Sequence, residues 1–458
     1  TLSLHDALPI LLRQDDLNEK VLIMLYILNW FFTSNSYGQS LSKVMIVFAV
    51  LFPSISNAEG TISLNELLQL SYKNNPGVQE KHYEGSAEHS LIASQATLDN
   101  PMVGVSELNR GLKTQYGTIS QKIKFPTKYI YQAKAQQSKA DSFRSRLNEK
   151  KFEVRQQVIT LYYAIYSAQK VIQLTKANIE SVNEFARVAE KKYSAGKSPQ
   201  GDSMKAHFEL TQLELNLIRL KQEEQALQDQ LKSVVNSPSL KNIEISQLEL
   251  SPPKFFKEKI QGDNSKLLNQ LKENSPVLRA ENYKLKETEY KSTLAKWEFA
   301  PDFQIQYQQR ISGEPIDSNI LTIGVTIPLW FWKTGYEASA ASAKKMAQEY
   351  KVKDTKLKLI ADIKDLKGRV STGVKTLEIY QTSLIPQAQG SYNSSRSVYQ
   401  ADKTSFLDLL DSERSLYRVK TDYYQSLRQY VSALCILERE LGFSVSNLDS
   451  VSEVKNEK

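Results

Sequence analysis

The chain has 458 residues, only 17 glycines and 14 prolines, and a net charge of +8. Ala, Glu, Lys, Leu, Gln and Ser dominate, which is the composition of long helices and not of a compact α/β enzyme. The lysines are interleaved with glutamates, so the basic balance reads as solvated helix faces and no nucleic-acid partner is expected. Cys435, the single cysteine, excludes an intrachain disulfide and a Cys-rich metal site, and lies too deep in the chain to carry an N-terminal lipid.

Residues 1–58 read as an upstream extension and a signal peptide that is removed. Lys43 precedes a short apolar core at 45–52, and Ser56-Asn57-Ala58 has the small-x-small form of a cleavage site, so Glu59 begins the mature chain. A second apolar run at 21–32 lies upstream, and the true start is expected at Met24 or later. The apolar core is too short to span a bilayer. No other stretch is long and apolar enough to do so, so any entry into a membrane must be made by strands.

From Glu59 the first repeat occupies residues 59–236. Ser63 caps a short helix, Pro76 punctuates before a second one from about Gly77 to Leu98, and then the period changes from helical to alternating. Strands are expected at 102–108 and 117–125. In the second, Ile119, Ile123 and Phe125 share one face while Thr118, Ser120, Lys122 and Lys124 share the other. A polar loop from Asn109 to Gln115 joins them. After Pro126 a helical hairpin is expected over 127–236. Its first leg runs without Pro or Gly to Ala195, or roughly 100 Å at 1.5 Å per residue. Its return leg steps through Leu210, Leu213, Leu217, Leu220, Leu227, Leu231 and Val234, the spacing of a coiled-coil seam.

Residues 237–264 form a polar connector with Pro252-Pro253. Residues 265–442 then repeat the order, with landmarks recurring about 200 residues on: Pro76 as Pro276, Pro126 as Pro328, and Tyr193…Asp202 as Tyr399…Asp408. Strands are expected at 303–311 and 320–327. Phe303, Ile305 and Tyr307 face away from three glutamines, and Leu321, Ile323, Val325 and Ile327 face away from Thr322, Gly324 and Thr326. A helical hairpin is expected over 335–441, its return seam running through Leu416, Tyr423, Leu427, Tyr430, Leu434, Leu437 and Leu441. The polar tail at 443–458 is expected to fray.

Two strands per repeat are not stable alone, and four cannot close a barrel with a lumen. Each nevertheless has one apolar and one polar face, as a wall between lipid and water requires. The open edges must therefore pair with other copies of the chain. Aromatic residues after the strands, Phe125, Tyr129 and Tyr131 in one repeat and Trp330, Phe331, Trp332 and Tyr336 in the other, fit an interfacial belt.

The duplicated order of helices and strands, the proline after strands two and four, and the Tyr-x-x-Gly-x-x-x-x-x-Asp motif at Tyr193, Gly196 and Asp202 resemble the TolC-like outer-membrane efflux family. The resemblance covers nearly the whole mature chain. It implies a mainly α fold with transmembrane β: a homotrimer sharing a twelve-stranded barrel in outer-membrane lipid and a helical tube crossing the periplasm. Such proteins are exit ducts of tripartite efflux or type I secretion systems. They dock on a periplasmic adaptor and an inner-membrane transporter, use no cofactor or metal, and are not enzymes. Asp408 and Asp411 match the family's paired pore aspartates, whose rings would repel internally and shift upward in pKa. Asp408 alone also reads as a helix N-terminal carboxylate. Tyr399 matches the gate tyrosine. Thr404 stands where some members carry an arginine, with Lys403 beside it as a substitute. Adaptor contacts are expected at the tips: Tyr193, Gly196, Lys197, Ser198 and Asp202, then Asp402 and Lys403.

A periplasmic coiled-coil scaffold or adaptor without a pore is the alternative reading. Its long heptad hairpins would match, but the alternating strands and Pro126/Pro328 count against it. An enzyme is not expected, since no phosphate-cradling glycine loop or His-x-x-x-His pair occurs. His82, Glu84, Glu88 and His89 read as a solvated helix face, not a metal site.

Overall fold

A computed structural model describes residues 63–448, apart from 110–112, 238–239, 246–247, 249, 261, 314–318 and 402. The signal peptide and cleavage site expected within 1–58, and Asp402, lie outside the described residues.

Helix α1 (Leu64–Asn74) starts on a reciprocal cap: Ser63 Oγ accepts from the Glu66 amide and Glu66 Oε2 accepts from the Ser63 amide. Helix α2 (Pro76–Ala96) begins with proline at its first turn, where the missing N–H costs nothing. Strands β1 (Met102–Asn109) and β2 (Lys113–Ile123) follow, then α3 (Pro126–Ser194), 69 residues without a break, and α4 (Gln200–Val235). After the connector come α5 (Asn264–Asn274), α6 (Pro276–Trp297), β3 (Asp302–Ser312) and β4 (Asn319–Thr326). The chain closes with α7 (Phe331–Ile379), a π-turn (Tyr380–Leu384), α8 (Ile385–Gln400) and α9 (Phe406–Leu441).

The expectations for β2, the second hairpin and the tail are corrected. Strand β2 begins at Lys113 and ends at Ile123, not at 117–125, because Lys113, Thr114 and Gln115 pair with Asn109, Leu108 and Glu107; the polar composition of that stretch hid a ladder. The second hairpin begins at Phe331 and its long helix is interrupted. Pro386 has no N–H to give, and a wider turn at Tyr380–Leu384 absorbs the loss. The connector is anchored, with Leu240, Ile243, Ile245, Leu250 and Ile260 buried. Gln169 and Gln228 side chains donate to Ile243 O at 2.8 Å. The tail does not fray at 443–448: Val445 and Leu448 are buried, and Phe256 N donates to Val445 O at 2.8 Å.

Two cores hold the helices. The larger joins α1, α3, α4, α5, α6, α7, α9, the connector and the tail around Tyr163, Ile165, Leu231, Ile363, Leu434 and Leu437. The smaller lies near the hairpin ends, between Phe185 and Ala189 of α3, Ala206 of α4, Tyr392 and Tyr399 of α8 and Phe406 and Leu410 of α9. Every residue of the expected α9 seam is buried. Helix α3 packs on α4 and α9, and α9 on α7 and α8, giving a wall in the order α4, α3, α9, α7–α8. A buried ion pair, Arg155 Nη1 to Glu438 Oε2 at 2.6 Å, ties the repeats together. Glu438 Oε1 also accepts from Ser444 Oγ, Val445 N and Ser446 Oγ.

Candidate pore wall and helical tips

The four strands form one antiparallel sheet in the order β1-β2-β3-β4, so the repeats meet at β2–β3 and the edges β1 and β4 are open within the protomer. Register puts Val103, Ile119, Tyr307 and Leu321 in one row and Ile123, Phe303 and Val325 in another on the same face. That face is bare: Val103, Val105, Leu321 and Ile323 are 65–76% exposed. The opposite face carries hydroxyls and amides. Gln308 Nε2 donates to Ser106 Oγ and Thr118 Oγ1, both at 3.2 Å, and Ser120 is buried. An apolar face in the open and a polar face turned in is the reverse of a water-soluble sheet and the order of a barrel wall. None of the described helices is long and apolar enough to cross a membrane.

Below the sheet, Trp330 and Trp332 stack at 5.6 Å and stand exposed with Phe331 and Tyr336. Of Phe125 and Tyr129, expected in the same belt, the first packs across the repeats and the second folds back on the turn that follows β2. Phe125 stacks on Trp297 at 5.6 Å, and the Tyr129 hydroxyl accepts from the Lys124 amide at 3.0 Å. Nearby, buried Lys128 bridges Asp302 at 2.8 Å and Glu298 at 3.1 Å.

A cavity of about 1180 Å³ opens between α3, α4, α7 and α9. Its lining is mixed, with hydroxyls and amides of Thr160, Ser167, Thr372 and Gln425 beside apolar Val171, Leu366 and Ile436 and the charged Glu223, Lys364, Asp365, Arg369 and Arg428.

At the far end the chain reverses twice. Tyr193 and Lys197 are exposed, and Gly196 sits at φ +68, the left-handed position that ends α3. Ser198 Oγ donates to Ala189 O at 3.4 Å, and Asp202 lies in the first turn of α4. In the second reversal Lys403 is exposed. Tyr399 is 6% exposed, packed edge-on to Phe406. The Lys192 ammonium lies 3.9 Å from the Tyr399 ring centre, and Lys192 Nζ donates to Tyr399 O at 3.2 Å. The two tips are thereby tied together.

The paired aspartates have different surroundings. Asp408 Oδ2 accepts from Thr404 Oγ1 at 2.7 Å and Ser405 Oγ at 2.8 Å, and Ser405 Oγ accepts from the Asp408 amide at 3.2 Å. Those donors hold its carboxyl below the usual aspartate range. Within one chain these donors act against the upward shift expected of a carboxylate ring, which only several chains together would make. Thr404, in the arginine position, is the first of these donors. Asp411 keeps 72% of its side chain in solvent, with Arg414 Nη1 at 3.7 Å.

Sequence reading missed the staples across the wall. Arg414 of α9 pairs with Glu209 of α4, its Nε donating at 3.0 Å, and Arg428 pairs with Glu223 at 3.0 Å. Both pairs are separated by 205 residues, nearly the repeat offset itself. Opposite charges at equivalent places on the two return legs were the signal that could have found them.

A four-stranded inverted sheet above long helical hairpins defines an outer-membrane channel subunit. The chain belongs to the outer membrane efflux protein family, whose sequence pattern matches residues 117–237 and 267–442. It is 21% identical over 417 residues to the cobalt-zinc-cadmium resistance protein CzcC of Cupriavidus metallidurans, spanning 90% of this chain and 97% of that one. Among solved structures it is similar to the outer-membrane channel OprN, at TM-score 0.71, 14% identity, and 83% and 89% coverage of the two chains. It is also similar to the Campylobacter jejuni CmeC channel, at TM-score 0.71, 16% identity, and 84% and 86% coverage. The chain is an outer-membrane efflux duct reaching into the periplasm.

Proposed function

We propose that three copies of this chain close into one duct that receives cargo from a periplasmic adaptor and an inner-membrane transporter and releases it outside. The observation that carries this is the sheet with two open edges, an apolar outer face and a polar inner face. Four strands cannot enclose a lumen, whereas three sets can. In this arrangement the exposed aromatics Trp330, Trp332 and Tyr336 sit at the lipid boundary. The tips around Gly196, Lys197, Ser198 and Lys403 meet the adaptor, and Asp411 from three chains forms a carboxylate ring at the closed end. Asp408 fixes the start of α9. The purified protein in a planar bilayer should form channels blocked by trivalent cations, and Asp411→Ala should relieve that block. Block unchanged in the variant would remove the ring.

A second reading concerns cargo. The likeness to a cobalt-zinc-cadmium resistance protein favours divalent metal cations passing through the duct. No group of three His, Cys, Asp or Glu among the described residues is placed to hold a metal ion, so such a cargo would be chosen upstream. Loss of the chain from its host should then raise sensitivity to cobalt, zinc or cadmium, and unchanged growth on all three would reject this cargo.

A further inference from the structure

One buried acid near the tip has no place in the duct described so far. Glu413 lies on α9 within the buried stripe that includes Leu409, Leu410 and Leu416, and is 6% exposed. Its Oε2 has no hydrogen-bond partner among the described residues. The Arg414 guanidinium next to it in the chain is committed to Glu209 of α4, so its charge is already offset by a second carboxylate. Lys420, two turns along α9, donates to Gln389 of α8 at 3.0 Å. From α3 the buried residues near this level are Thr175, Asn178 and Val182, while its charged neighbours Lys176 and Glu180 are exposed; Phe185 and Ala186, then Lys192 over Tyr399, lie further toward the tip. From α8 come the phenols of Tyr392 and Tyr399. A second unpaired side chain occurs in the same region. Asn178 of α3 is 6% exposed with neither amide atom bonded. The antiparallel register set by Thr175–Tyr417 and Arg155–Glu438 brings it to the level of Glu413.

We propose that Glu413 is a proton-controlled latch of the tip: protonated, it fills the core between α3, α4, α8 and α9; ionised, it drives that core apart and frees the second hairpin. A neutral carboxyl is tolerated in such a site, whereas an unpaired carboxylate facing Glu209 is desolvated and repelled at once. Burial, with Glu209 adding to it, pushes Glu413 up to about 8. The sign follows from linkage. An acid whose folded-state value is raised favours the packed form at low pH, and that advantage is lost as pH rises toward the raised value. The freed segment has a joint at hand, the π-turn at Tyr380–Leu384 ahead of Pro386. The first repeat has none, since α3 runs unbroken.

This latch rests on reading the tips as the closed end of the duct, and the test separates the two. The whole protein is placed in a planar bilayer, and conductance is recorded with the tip side at pH 6 to 9. The ionised fraction of one acid rises about tenfold per pH unit below its midpoint. Wild-type opening should therefore climb by up to about that factor per unit for each Glu413 involved, and level off above pH 8. Glu413→Gln should stay closed and flat across the range. Glu209→Gln, which releases Arg414 to pair with Glu413, should move the midpoint to lower pH. Channels with a flat wild-type profile overturn the latch and leave the duct standing. The latch is equally overturned by a Glu413→Gln variant that keeps the pH response, or by an unmoved midpoint in Glu209→Gln. Wild-type protein that forms no channel at any pH overturns the duct reading and the latch with it.

Discussion

Asp408 carries two demands at once, and the local geometry ranks them. Its carboxylate is spent on the first turn of α9 through Thr404 and Ser405, while Asp411, one turn on, stays in solvent. Because the Asp408 carboxyl is held below its usual value, its capping contribution is complete above the ordinary aspartate range and is lost as pH falls through the lowered value. The protection factor of the amides at the start of α9, which removes the intrinsic pH dependence of exchange, should thus be steady from pH 8 down to 5 and fall only in stronger acid. Ser405→Ala should cost about 1 kcal/mol of local helix stability and raise exchange at every pH; protection equal to wild type would discount the cap. Gly442 presents a harder limit. Its φ is +77, and a Cβ there would lie 2.2 Å from Asn274 O. Gly442→Ala should cost at least about 1–2 kcal/mol from the left-handed backbone alone, seen as a lowered unfolding midpoint. Arg155→Met strands Glu438 in the core and should cost about 3–5 kcal/mol in the same assay.

At the scale of elements, the sheet makes the sharpest contrast. Ile323 points from β4 into the exposed apolar face, whereas Gln306 of β3 lies on the polar face. Ile323→Arg should impair outer-membrane insertion, at about 2–4 kcal/mol for a charge at mid-membrane depth, while Gln306→Arg should insert normally and change ion selectivity. Measuring heat-modifiable folded protein in membrane fractions separates the two, and equal insertion of both would contradict the facing assigned here. The alternation that fixes this facing was legible in the residues, as were the helix that follows Pro126, the break at Gly196 and the leucine and tyrosine seam of α9. Each rests on a local pattern with one period. The start of β2 at Lys113 was not legible, because a polar hairpin end looks like a loop until its partner strand is known. Pro386 was overlooked because apolar periodicity continues through it. The tail was misread for a related reason: Val445 and Leu448 are too few to make a pattern, and only the bend at Gly442 brings them to the connector. The tip told the same story. Tyr399 and Asp408 stood out as repeat landmarks and the aspartate pair by its resemblance to the family, but Lys192, Glu209 and Glu413 act across helices, and such contacts have no linear trace beyond the repeat offset.

The whole molecule is explained by its duplication. Two similar halves form a wall in the order α4, α3, α9, α7–α8 and a sheet in the order β1 to β4, and both end in open flanks. A threefold assembly of such units has six nearly equivalent hairpins around one axis. Among the described residues the halves differ: the second alone has the π-turn within its long helix and, at its tip, the capped Asp408, exposed Asp411 and buried Glu413, which is why the proposed opening is sought in the second hairpin. The central claim is that the open flanks are covered by other copies of the same chain in the outer membrane. Cross-linking of intact cells followed by membrane fractionation tests it most directly. The account predicts a trimer recovered in the outer-membrane fraction; a monomer in the soluble periplasmic fraction would contradict it.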